Sequence, residues 1–174
     1  MKIIISNKAK VHMEAHKNDF TVEWEELLKK CEDESKFDGL EKSFEIFKIQ
    51  FQSNVGYCNC IETEQDDEIV FAKRLGRDTY TRFVKKREPK LVNSVIFILN
   101  KNKYSTKAEY FLVTMFPGLE SYKEPEDLNI TSKNEINECL DFWKNNALIY
   151  DESILDVNSI KSYCPYRNLY IAVA

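Results

Sequence analysis

Ser94-Val95-Ile96-Phe97-Ile98-Leu99-Asn100 is almost wholly apolar and rich in β-branched side chains, which predicts a central strand buried on both faces, with helices covering one of them. On either side of it the apolar period is close to two. Residues 57–63, 68–73, 79–84 and 110–116 all read as strands. The joints between them carry turn chemistry: Asp66-Asp67, Leu75-Gly76-Arg77-Asp78, Glu88-Pro89-Lys90, Asn100-Lys101-Asn102 with Ser105-Thr106, and Pro117-Gly118. Short joints imply neighbouring strands, hence an antiparallel meander. Upstream, Trp24, Leu27, Leu28 and Cys31 recur at helical spacing and predict an amphipathic helix over 20–31, with a second over 40–51 after the Asp38-Gly39 break. Downstream, the Thr131-Ser132 start and the apolar residues to Ala147 predict a closing helix, and residues 169–174 a terminal edge strand. The fold class expected is α+β, as one domain over 1–174 with its helical part in 1–52 and its sheet and closing helix in 55–174.

The bulk properties agree with one ordinary globule. With 174 residues, 43% hydrophobic, the chain can bury a sizeable core without staples, and only four Gly and four Pro leave no linker-like stretch. The apolar run at Ile3-Ile4-Ile5 is too short for a signal-peptide core, so a soluble, cytoplasmic protein with no membrane partner is expected. Five cysteines (Cys31, Cys58, Cys60, Cys139, Cys164) at irregular spacing predict reduced thiols; Cys58-Asn59-Cys60 lacks a second pair at zinc-ligand spacing and reads as buried thiols on a strand.

Charge is distributed unevenly. Residues 73–90 carry Lys73, Arg74, Arg77, Arg82, Lys85, Lys86, Arg87 and Lys90 against only Asp78 and Glu88, so this window stands at +6 and the other 156 residues at −10. Tyr80 and Phe83 interleave with the arginines. Fork-shaped donors suit phosphate oxygens and aromatic faces suit unstacked bases, a combination that points to RNA, a nucleoprotein or a nucleotide; the alternative is a solvated strand that simply carries charge.

Alternation along the strand puts Tyr80 and Arg82 on one face of residues 79–83, with Thr79, Thr81 and Phe83 on the other. Metal-free RNA cleavage needs a proton acceptor, a proton donor and cations that hold the developing phosphorane charge. Arg82, Tyr80, Arg74 and His16 are the candidate catalytic groups, and Lys73, Arg77, Lys85, Lys86, Arg87 and Thr114 the candidate substrate contacts. His12 and His16 share a face if their segment is helical; they supply a base near neutral pH, and with Glu14 also the residue types of a metal site, though not in metalloprotease order. Glu62 to Glu68 reads as a solvated acidic turn. No phosphate loop, nucleophile elbow or dinucleotide fingerprint is present, and neither metal nor cofactor is expected.

Two helices leading into a meander with basic, hydroxyl and aromatic residues on its strands resembles, in layout, the metal-independent ribonuclease superfamily of barnase, EndoU, colicin and RelE-like toxins. The stretch Asp67 to Val84, with Phe116-Pro117-Gly118 and Phe142-Trp143-Lys144-Asn145-Asn146-Ala147-Leu148, also resembles a set of uncharacterised bacterial and phage proteins over roughly residues 55–150. In that set a histidine stands where this chain has Asn146. The resemblance implies a small RNA-cleaving protein of toxin or phage-defence type. The competing expectation is a non-catalytic binder of nucleic acid or of a nucleoprotein enzyme, such as a phage-borne inhibitor. A third is an immunity-type partner that covers a basic toxin with its acidic surface, so a protein inhibitor or target joins RNA among the partners considered.

Overall fold

The strand expected at the centre is central. The computed structural model describes residues 1–105 and 109–166, and in it β8 (Ser94–Lys101) lies between β9 (Glu109–Pro117) and β2 (Phe44–Gln50), antiparallel to both. β1 (Lys2–Ile4) completes that sheet on the far side of β9, parallel to it. A two-stranded ribbon of β3 (Gly56–Cys58) and β7 (Lys90–Val92) belongs to the same compact unit, which comprises Met1–Cys58 and Lys90–Leu119. Its helices are α1 (Asn7–His16), whose Ser6 hydroxyl accepts the Ala9 N–H as an N-cap, and α2 (Trp24–Asp33). The periodic residues Trp24, Leu27, Leu28 and Cys31 are all buried, in a core with Phe37, Phe97, Leu99 and Met115; Phe37 meets the Phe97 ring edge-on at 5.3 Å.

The second unit comprises Asn59–Pro89 and the chain from Glu120. Its sheet runs in the order β4 (Cys60–Glu62), β10 (Asn146–Ile149), β6 (Tyr80–Val84), β5 (Ile69–Lys73), with β10 parallel to β6 and antiparallel to β4. β5 and β6 form a hairpin that pairs Lys73 with Tyr80 and Phe71 with Arg82. α3 (Lys133–Asn145) starts with a capping box: Ser132 Oγ accepts the Glu135 N–H while the Glu135 carboxylate accepts the Thr131 N–H. Leu140 and Trp143 of this helix pack with Phe71 and Tyr166.

The fold is α+β, with α1 and α2 between β1 and β2 and α3 just before β10, and several local expectations are corrected. The stretch 40–51 holds a strand, β2, and no helix: Phe44, Ile46, Phe47 and Ile49 are aromatic or β-branched, and β2 gains a seven-residue ladder along the edge of β8. The two N-terminal helices are instead α1 and α2. The expected strand over 57–63 breaks at Asn59, so that β3 and β4 fall in different sheets and different units. The meander is not continuous either, because β6 takes β10, not β7, as its second neighbour. No disulfide links the five cysteines among the described residues. Cys58 packs so closely on Gly118, at φ +98°, that a Cβ there would lie 2.3 Å from its sulfur. Thr106 and the expected strand over 169–174 lie outside the described residues. No helix among those described is long and apolar enough to cross a membrane.

Candidate nucleic-acid interface

The basic window forms β6, the two turns that flank it and the start of β7, and most of its charge meets carboxylates. Arg74 Nη2 donates to Glu124 Oε1, and the Thr81 hydroxyl donates to the same oxygen at 2.7 Å. Arg77 Nη1 stands 3.9 Å from Glu124 Oε2. Glu124 is only 2% exposed and Thr81 fully buried, so this is an internal ion cluster, a poor landing place for an external phosphate. Arg87 Nη1 donates to both oxygens of Asp67 at 2.8 and 2.9 Å, with Glu64 3.4 Å from Nη2. The Asp67 carboxyl lies below the usual carboxylate range because it accepts the Glu64 backbone N–H and then the Arg87 guanidinium. Lys85 and Lys86 both pair with Glu68, at 3.3 and 2.7 Å, and Lys73 stands 4.0 Å from Asp78. Arg74, a catalytic candidate, and Arg87, a candidate substrate contact, are thus each engaged by a carboxylate of the fold.

Arg82 occupies a different setting. Its Nη1 donates to Thr63 Oγ1 at 2.8 Å and to the Asn146 carbonyl at 3.0 Å, while the Asn146 side-chain amide donates to the Phe142 carbonyl at 2.9 Å. The end of β4, the middle of β6 and the start of β10 thus converge on one guanidinium. Arg82 and Asn146 are thus brought together.

Tyr80 lies on the same strand and is flanked by cations. Lys161 Nζ is 3.9 Å from the centre of its ring and Lys73 Nζ 5.6 Å, and the Tyr163 ring lies 5.5 Å from Lys161 on another side. The Lys161 pKa is raised, chiefly by its hydrogen bond with the Tyr80 side chain. Backbone bonds hold the group in place: Lys161 and Phe71 exchange N–H···O bonds of 2.8 and 2.9 Å, the Lys73 N–H donates to Ser159 Oγ at 2.7 Å, and the Tyr166 hydroxyl donates to the Tyr80 carbonyl. The segment from Ile154 to Lys161 thereby lines the outer edge of β5 without being a regular strand. Two ammonium groups and two tyrosine rings are thereby gathered at Tyr80, residue types able to contact phosphates and stack on bases. Lys161 and Tyr163 escaped the sequence reading because an irregular segment has no periodicity to place it. Glu124 escaped as well, since one acid in a polar loop carries no signal of burial.

No protein-family model, curated protein or solved structure matches this chain. The remaining two candidate residues, His16 and Thr114, belong to the first unit. His16 Nδ1 is 3.1 Å from Asp19 Oδ2, which raises the His16 pKa through the hydrogen bond. His12 Nε2 is 3.1 Å from Thr114 Oγ1, and burial followed by repulsion from His16 lowers the His12 pKa.

Proposed function

We propose that this protein binds RNA without cleaving it, using Tyr80, Lys73, Lys161 and Tyr163 as a stacking and phosphate-contacting surface on the second unit. The observation that carries this reading is the presence of two ammonium groups within 3.9 and 5.6 Å of the centre of the Tyr80 ring. Of the arginines considered for stabilising a phosphorane, Arg74 is already engaged by the Glu124 carboxylate. Asn146, at the position where the resembling set carries histidine, has an amide that neither takes nor gives a proton at neutral pH. Fluorescence anisotropy with a labelled single-stranded RNA tests the reading. Tyr80→Ala should weaken binding by about 1–3 kcal/mol of stacking, whereas Tyr80→Phe should be nearly silent. Lys161→Ala should shallow the salt dependence of log K by about 0.7. Wild-type affinity in a Tyr80→Ala/Lys161→Ala variant refutes it.

Metal-independent cleavage of toxin or phage-defence type is the second reading, and the convergence of Thr63, Arg82 and Asn146 favours it. Incubating total RNA with the protein in excess EDTA, beside Arg82→Ala, separates the two. Fragments that disappear with the variant support cleavage; intact RNA bound by the wild type supports the binder.

A further inference from the structure

His12 and His16 occupy successive turns of α1, and their ring centroids lie 4.7 Å apart. Each ring commits one nitrogen to a neighbour. Thr114 Oγ1 is 3.1 Å from His12 Nε2 and 3.8 Å from Met13 Sδ; with the hydroxyl donating to the sulfur, the matching His12 tautomer carries its proton on Nε2 and its lone pair on Nδ1. His16 Nδ1–H donates to Asp19 Oδ2, which leaves the lone pair of the neutral ring on Nε2. A carboxylate or hydroxyl that fixes the tautomer and orientation of a histidine is the usual outer support of a metal-binding imidazole.

We infer that His12 and His16 form a two-imidazole site for a borderline first-row divalent cation of the nickel, copper and zinc class. The spacing fits that occupant. Two imidazoles at a metal–nitrogen distance of about 2.0–2.1 Å with a ligand angle of about 90–110° place their ring centroids about 4.5–5.2 Å apart. Imidazole donors select this class over magnesium or calcium, which prefer oxygen. No group of three ligand-type side chains able to hold an ion is found among the described residues, so an ion held by this pair keeps water in its other positions.

The test uses the untagged protein and Ni(II), followed by calorimetry and by the histidine ring resonances. One ion should bind, both rings should broaden together, and His12→Ala and His16→Ala should each weaken binding at least about tenfold while leaving the melting temperature close to wild type. Asp19→Asn, which removes the outer support and keeps both ligands, should weaken it by about 10–100-fold. Unchanged affinity in His16→Ala places the ion elsewhere and overturns the inference. So does the absence of binding at millimolar Ni(II), which would leave the pair as an edge-on ring contact.

Discussion

Replacing Arg74 by methionine should unfold the second unit before it affects any ligand. The Glu124 carboxylate, 2% exposed, would lose the guanidinium that neutralises it and keep only the Thr81 hydroxyl at 2.7 Å and Arg77 at 3.9 Å. Removing one partner of a buried pair leaves an uncompensated charge, which costs about 3–5 kcal/mol. Glu124→Leu should cost a similar amount, because the Arg74 guanidinium, a quarter exposed, and the fully buried Thr81 hydroxyl both lose their acceptor. The double variant Arg74→Met/Glu124→Leu buries no charge at this site, so the remaining loss is the Thr81 hydrogen bond, about 1 kcal/mol. The double variant should thus be much more stable than either single one. Urea denaturation reads this directly in a Trp24→Phe background, since the chain has two tryptophans and Trp143 belongs to the second unit. Additive losses would refute the internal ion cluster. Undiminished stability of Arg74→Met together with a tenfold loss of RNA affinity would return Arg74 to the binding surface.

Asn146→His introduces a titratable group at the residue whose carbonyl accepts from Arg82; if proton transfer is what this chain lacks, the variant should cut RNA in EDTA where the wild type does not, and a denaturing gel decides it. The Asp67–Arg87 pair gives an acid limb to stability. Because the folded pKa of Asp67 is depressed, its contribution is present above the ordinary carboxylate range and is lost as pH falls through the folded value, so Asp67→Asn should flatten the loss of melting temperature below about pH 4. Gly118→Ala should destabilise the first unit by at least about 1–3 kcal/mol, since φ is +98° and the new methyl meets the Cys58 sulfur; thermal unfolding measures it.

Periodic signals in the sequence that the fold had to obey were legible. The burial of 95–99, the β5–β6 and β8–β9 hairpins, α2 and α3 all follow from side chains that can be hidden in only one arrangement. The error at 40–51 has the same source: a short apolar run suits a helix or a strand equally, and the open edge of β8 made the choice. Among candidate site residues, Tyr80 and Arg82 were visible as members of a basic strand. What was invisible was which of their neighbours are anions.

The amino-acid sequence by itself determined the α+β class and the concentration of positive charge in residues 73–90, because each depends on composition or on local spacing. Only the tertiary structure decided the availability of that charge. Electrostatic pairing joins residues 18 to 50 positions apart, Arg74 with Glu124, Lys86 with Glu68 and Arg87 with Asp67, and no local pattern encodes such distances. The same folding set Lys161 against Tyr80 across 81 positions, leaving a small patch of cations and tyrosines where the sequence displayed a continuous basic ribbon.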